Sequence, residues 1–374
     1  MPKEKVLRSL PERAGVDVLV AMSPENFTYI SGAWVLTVGS IRPRHAYAII
    51  PRQGEPVTLV CSIEENTMRD ESWIGDVQAY TEFADEPVLK LADLLKARGW
   101  DKGRIGIDLG YLPQISYARL AAALPDASLV DTTDVVAAAR TIKDADEVAA
   151  LERAARSTHE AVLEAMEASR LGESEKTMAD RIVNGMINRG GDTGLFTCFA
   201  SGDRTKIGHA MPTDRVPKES EIIRFDVGAR YCQWMSDFAR TYSTGNPTTL
   251  QKDTYRSLVR VHKETIDAVR PGVTAEELFF VCKESFGKHG LAFHMPHVGH
   301  SFGVELHENP MLRPGDRTRI ETGMVLNIEP FVFDPERNGY HVEDLFVVTD
   351  DGYRLLTLGF PPEELPTIGQ PIPR

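Results

Sequence analysis

Only four cysteines occur in the 374 residues, and no two of them form a C-x-x-C pair. Cys61, Cys198, Cys232 and Cys282 lie far apart in the chain, which argues against a thiolate zinc site or a redox dithiol and leaves buried free thiols as the expectation. Long apolar runs are missing as well. No stretch approaches the roughly 18 apolar residues of a membrane-spanning helix, and the N-terminal "MPKEKVLRSLPERAG" has no apolar core of the kind a secretory leader carries. A cytoplasmic location is expected, with no membrane partner. Positive charge is scarce: 42 Lys+Arg stand against 55 Asp+Glu, a formal net charge of −13. Without a basic stripe, no nucleic-acid partner is expected either. H-E-x-x-H is also absent, since "HENPM" at 307–311 lacks the second histidine.

What is present is ordinary globular composition, 42% hydrophobic and 26% charged, on a chain long enough for two domains. In residues 1–130, "VDVLVAM" (16–22), "AYAII" (46–50), "PVTLVC" (56–61) and "RIGIDL" (104–109) read as strands. "EPVLKLADLLKARG" and "PQISYARLAAAL" carry helical spacing, so the region reads as an α/β domain. A boundary follows, where Asp144 with Glu147 three residues on resembles a capping box, and Val148, Leu151, Ala155, Val162 and Met166 then share one helical face.

Beyond that boundary the chain repeats itself. "RLGESEKTMADRI" (170–182) and "RPGVTAEELFFVC" (270–282) both place an Arg, a Gly two residues later and a Ser or Thr two after that, offset by 100 residues. Each opens a second helix after a long first one, over about 145–170 and 250–269, and strand-like runs follow each pair. Two helix–helix–strand–strand units point to a duplicated α+β domain.

Acidic residues inside the strand-like runs need a reason. Asp226 and Asp237, eleven residues apart in "FDVGARYCQWMSD", are placed to face each other across adjacent antiparallel strands. Glu329 in "VLNIEPFVF" and Glu343 in "YHVEDLFVV" repeat the pattern around the turn-like "DPERNG". One acid in each of four strands suggests four carboxylates converging on one centre, and only a cation makes that tolerable. With the nearby His297, His300 and His307, the set suits two divalent ions of the Mn, Fe, Co or Zn type.

The segments "FDVG…SDFARTYSTG", "GHSFGVELHENP", "GMVLNIEP" and "VEDLFVVTDDG" resemble, in order and spacing, the signature of the M24 metallopeptidases: Xaa-Pro dipeptidases (prolidases), aminopeptidase P and methionine aminopeptidase. Creatinase shares that fold without the metals. "NFTYISGAW" (26–34) and "RTIKDADEVAAL" (140–151) resemble the N-terminal domain and hinge of the prolidase and creatinase branch. The resemblance implies an α/β creatinase-like domain over 1–138, a duplicated α+β pita-bread catalytic domain over 139–374, and a homodimer. It implies Asp226, Asp237, His300, Glu329 and Glu343 as ligands of a dinuclear centre, with Asp237 and Glu343 bridging. Manganese is the first expectation, with cobalt, iron or zinc as alternatives. His209 and His307 match the two catalytic histidines that bind no metal, Glu329 would shuttle the proton, and the implied reaction is hydrolysis of the amide before proline in Xaa-Pro dipeptides or short peptides.

The chain departs from the pattern in three places. The last ligand is commonly preceded as "R-I-E-D", with the Arg near the substrate, whereas here "HVED" puts His341 there. "GHSFG" replaces the usual "GHGIG" and resembles creatinase. A histidine four residues before the ligand is replaced by Pro296, with His297 beside it. His341 and His297 are therefore the expected substrate-binding residues, and His294 reads as a supporting histidine. The alternative function is a creatinase-like or ectoine-hydrolase-like cleavage of a non-peptide C–N bond in a small metabolite. Trp34 and the stretch Arg42 to His45 are candidates for completing the pocket of a second subunit.

"GHSFG" also satisfies G-x-S-x-G, the nucleophile-elbow pattern. An elbow needs a helix after its serine, and the alternating "VELH" followed by Asn309-Pro310 leaves no room for one. Ser301 is expected to be a small packing residue beside His300.

Overall fold

The apolar runs near the N-terminus form strands whose two faces are both covered. Val18–Ala21, Tyr47–Pro51 and Val57–Cys61 are buried at every position, as central strands are. They lie in a six-stranded mixed sheet ordered Asp76–Tyr80, Val57–Cys61, Tyr47–Pro51, Val18–Ala21, Gly103–Ile107, Ala127–Asp131. The sheet belongs to the first of two units, Met1–Arg140 and Thr141–Arg374. The computed structural model describes residues 2–41 and 44–371. All four expected strands are present. The two edge strands are partly exposed and polar, so no apolar run announces them. Helices Pro87–Ala97 and Gln114–Ala123 occupy the expected spans and bury Leu91, Leu95 and Leu120 in the core of this sheet.

Of the residues considered for a second subunit's pocket, Arg42 and Pro43 lie outside the described residues. Arg44 pairs with Glu82 inside its own unit. His45 is buried with Nδ1 2.7 Å from the Tyr47 hydroxyl, and Trp34 is half-buried. Cys61, Cys198 and Cys282 are buried, but Cys232 is exposed in the turn joining Tyr231 to Trp234, where its φ is 57°. The expectation of four buried thiols fails there because a tight hairpin turn leaves no room to fold the side chain inward. No helix among the described residues is long and apolar enough to cross a membrane.

The second unit is built twice. Helix Ala145–Ala168 starts with the expected capping box, in which the Asp144 carboxylate accepts from the Asp146 and Glu147 amides and the Glu147 carboxylate accepts from the Asp144 amide. Its partner helix is Glu175–Asn188. In the second half Thr249–Asp267 is followed by Ala275–Lys288. Each link between helices turns on a glycine, Gly172 at φ 96° and Gly272 at φ 95°, a region only glycine enters freely. The Ser and Thr two residues later are the N-caps, Ser174 and Thr274.

The sheets of the two halves differ in continuity. The first half forms the order Phe238–Ser243, Ile222–Tyr231, Thr193–Ser201, with Trp234–Met235 folded back on Ile222–Tyr231. The second forms a five-stranded sheet, Glu308–Met311, His300–Ser301, Val325–Ile328, Asp344–Thr349, Gly352–Leu355, and a separate pair, Phe331–Phe333 with Gly339–His341. The runs "VLNIEPFVF" and "YHVEDLFVV", each expected as one strand, are thus broken in two. Pro330 offers no amide hydrogen to a ladder. The Glu343 amide leaves its own sheet and donates to Ala239 of the first half at 3.1 Å.

A candidate metal centre at the strand breaks

Only Asp226 sits in the middle of a strand. Asp237 lies between Trp234–Met235 and Phe238–Ser243, Glu329 between Val325–Ile328 and Phe331–Phe333, and Glu343 between Gly339–His341 and Asp344–Thr349. The expectation of one acid inside each of four strands is corrected accordingly. Opposite Asp226 stands Ala239, so Asp237 reaches the same sheet face diagonally, two positions away. A residue at a break is freed from strict up–down alternation, so its carboxylate can turn toward the common point. Two glycines allow the approach: a Cβ on Gly228 would lie 2.3 Å from the Ser236 carbonyl oxygen, and one on Gly299 would lie 2.2 Å from that of Asn327. Gly228 therefore admits the segment carrying Asp237, and Gly299 the segment carrying His300.

Backbone bonds then hold the ligand candidates at one level. Because the Glu343 amide is bonded to Ala239, the register partner of Asp226, acids from the two halves meet. The Glu329 amide donates to Val298 at 3.0 Å, beside His300. Candidate ligand atoms of Asp226, Asp237 and Glu343 lie within 4.8 Å of one another, as do those of Glu329, His341 and Glu343. His300 Nε2 is 3.4 Å from Glu329 Oε1 and 3.9 Å from Asp237 Oδ2. Its Nδ1 lies 3.0 Å from the Ser301 carbonyl oxygen, which needs a donor there and so leaves Nε2 as the unprotonated nitrogen. His341 flanks the same acids, Nδ1 3.9 Å from Asp226 Oδ2 and Nε2 3.9 Å from Glu329 Oε2. Expected as a substrate-side residue, it stands within 3.9 Å of two of the carboxylates.

The chemistry of the donor set fits a divalent cation. Buried oxygens Asp226 Oδ1, Glu329 Oε1 and Glu343 Oε2, with both ring nitrogens of His341, have no hydrogen-bond partner. Such groups are costly unless something positive meets them. Burial, then the charge of Glu329, pushes the Asp226 carboxyl up to about 7. Burial and neighbouring acids hold Asp237 and Glu343 well above the usual carboxylate range. Burial acts the same way on Glu329, but the imidazoles of His297, His300 and His341 outweigh it and hold this carboxyl at about 2. Burial keeps His300 down at about 4 and His341 at about 3, so both imidazoles are neutral, the form that ligates metals.

Asp226, Asp237 and Glu329 floor a cleft of about 600 Å³. His209 and His307 stand exposed on its wall with His294 and His297. The His307 ring packs edge-on against His300 at 4.2 Å between centroids, and burial lowers its pKa. His297 Nδ1 approaches Glu329 Oε1 to 3.4 Å, which raises the histidine's pKa. Phe196, Met295, Leu306, Phe331, Val332 and Phe333 give the cleft an apolar side.

Ser301 does not line the cleft. It is fully buried, and its Oγ accepts from the Lys143 ammonium at 3.1 Å, which also pairs with Glu308 at 3.0 Å. A serine buried away from the cleft cannot meet a substrate there, so the elbow pattern carries no nucleophile. Two site residues carry no acidic signal and escape a search for buried acids. Asn327 accepts from the His300 amide at 2.6 Å, approaches His300 Nε2 to 3.0 Å, and donates to Glu343 Oε1 at 2.6 Å, so one buried amide aligns two ligand candidates. Arg224, also buried, shares a strand with Asp226 and lines the cleft. Each is a polar residue inside an apolar run, "MVLNIEPF" and "EIIRFDVG", and that is the signal by which both can be found.

Residues 149–350 match Metallopeptidase family M24, and residues 5–142 match the Creatinase/Prolidase N-terminal domain. The chain is 29% identical over 357 residues to the Xaa-Pro dipeptidase of Pyrococcus horikoshii, covering 95% of this chain and 96% of that protein. The crystal structure of the prolidase from the same organism superimposes with a TM-score of 0.83 at 26% identity, covering 95% of this chain and 98% of that one. Dipeptidase PepE from Mycobacterium ulcerans gives 0.83 at 26% identity, covering 98% and 97%.

Proposed function

Because the chain belongs to metallopeptidase family M24 and is a hydrolase of that type, we propose that it cleaves the amide bond before proline in Xaa-Pro dipeptides or short peptides. The observation that carries this reading is the convergence of four carboxylates and one imidazole beside an open cleft, three of the acids holding a buried oxygen without a hydrogen-bond partner. Asp226, Asp237, His300, Glu329 and Glu343 would hold two divalent ions, with manganese first and cobalt, iron or zinc as alternatives. Such ions supply charge that activates a water at neutral pH and polarises the scissile carbonyl.

The remaining work falls to side chains of the cleft. Glu329 would take the proton of the attacking water and deliver it to the leaving proline nitrogen. His307, whose pKa partial burial of the ring lowers, would donate to the oxygen that becomes negative in the transition state, with His209 binding the group beyond. His297 and His341 would orient the substrate beside Glu329. The apolar side of the cleft suits a pyrrolidine ring. The same reading takes the protein as a cytoplasmic homodimer, whose mass light scattering would measure.

The test is a panel of Xaa-Pro dipeptides, Xaa-Pro-Yaa tripeptides and creatine-like metabolites, each assayed with Mn, Co, Fe and Zn. Dipeptide cleavage that a chelator abolishes and metal restores is expected. Cleavage of a creatine-like C–N bond, with none of an Xaa-Pro bond, would favour the creatinase-like alternative. Full activity in metal-free protein would overturn both.

A further inference from the structure

The cleft holds one cation whose charge the reaction above does not use. Arg224 is only 2% exposed, and it projects on the same sheet face as Asp226, two residues before it in the strand. Its Nη2 donates to the carbonyl oxygens of Ile207 at 2.7 Å and Gly208 at 2.5 Å, and its guanidinium lies over the Phe331 ring at 5.2 Å. Nε is buried without a partner, and among the described residues no carboxylate forms an ion pair with this side chain. A guanidinium cannot shed its charge in a protein, so burial without a counterion is costly.

The neighbouring acids offset that charge only while they are themselves uncompensated. Once cations take up the charge of Asp226 and its companions, Arg224 is left with two carbonyl dipoles and an aromatic face. An anion is the missing partner, and the planar fork of a guanidinium matches a carboxylate. Phe331 and its neighbours place an apolar wall beside it, the surroundings of a carboxylate attached to a small aliphatic ring.

We propose that Arg224 is a specificity-determining residue that receives the free α-carboxylate of the substrate, which makes the enzyme a dipeptidase. The inference rests on the hydrolase reading above and deepens it. A peptide extended beyond proline presents a neutral amide where the carboxylate would be, and loses this partner.

The experiment compares an Xaa-Pro dipeptide with its C-terminal amide on the metal-loaded wild type, Arg224→Gln and Arg224→Lys. In the wild type, KM for the free acid should be lower than for the amide by on the order of 100-fold, the scale for removing one partner of a buried charge pair. Arg224→Gln should erase that preference by raising KM for the acid alone, and Arg224→Lys should keep part of it. The proposal fails if the wild type ignores amidation. It fails equally if Arg224→Gln impairs both substrates alike, as loss of a mere clamp on residues 207–208 would. Calorimetric binding of L-proline and L-prolinamide to the wild type needs no variant to fold: tighter binding of proline supports the proposal, and equal binding or none of either overturns it. If neither peptide is cleaved yet proline binds selectively, it is the proposed reaction that falls, and the anion site stands.

Discussion

The two halves of the second unit share a frame and differ in how their strands end. Helix pairs Ala145–Ala168/Glu175–Asn188 and Thr249–Asp267/Ala275–Lys288 turn on glycines with nearly the same φ and start from matching caps. The first half keeps Asp226 in a ten-residue strand, whereas the second breaks its strands at Glu329 and at Glu343. A duplicated scaffold can therefore carry an asymmetric site. The caps and turns that build the frame are local, and a strand break changes where a side chain points without disturbing the helices behind it. The first half contributes Asp226 and Asp237, and the second contributes the remaining acids with both His300 and His307.

The largest expected effect separates holding a cation from acting on a substrate. Asp237→Asn, in the first half, should weaken binding of at least one divalent ion by more than about 100-fold, since partners one layer further out already command 10–100-fold. His307→Ala, in the second half, should leave bound metal near the wild-type level and lower kcat by about 100-fold or more, the range for one oxyanion donor. Elemental analysis and steady-state kinetics on both variants decide this. Metal loss in His307→Ala, or two tightly held ions in Asp237→Asn, would mean the roles are misassigned.

The next pair tests whether close backbone approach is needed in both halves. Gly228→Ala places a methyl against Ser236, and Gly299→Ala places one against Asn327. Each should destabilise the protein by about 1–3 kcal/mol, the range for overpacking, and displace the ligand candidate on its own segment. Urea unfolding and metal titration should show both losses in each variant. A variant of either kind with wild-type metal affinity would remove that glycine from the argument.

Smaller effects probe the shared frame. Ser174→Ala and Thr274→Ala each remove an N-cap and should cost about 1 kcal/mol. The Thr274 variant should suffer more, because Thr274 belongs to a full capping box with Glu277. Equal or reversed losses in urea unfolding would break the correspondence between halves. Ser301→Ala should change kcat/KM least, by less than about tenfold, or 1.4 kcal/mol of barrier. Lys143 keeps Glu308 as its partner in that variant. A drop of several orders of magnitude with metal still bound would reinstate the serine as a nucleophile.

Much of this was legible in the order of residues alone. Central strands of the first unit, the capping box at Asp144, both helix pairs and the repeated Gly-to-cap spacing depend on interactions within a few positions, so local pattern determines them. The four acids stood out for a related reason: a carboxylate inside an apolar run is a local contradiction. What the tertiary structure alone decided is how residues far apart in the chain coincide. It placed Asp237 diagonal to Asp226 instead of opposite, broke two expected strands at the candidate ligands, and brought His341 into the acid cluster. It gave Asn327 its role between His300 and Glu343, and tied Ser301 to Lys143, 158 positions away. Those outcomes depend on where an amide such as that of Glu343 finds its acceptor once both halves have folded, and no periodicity within a single segment carries that information.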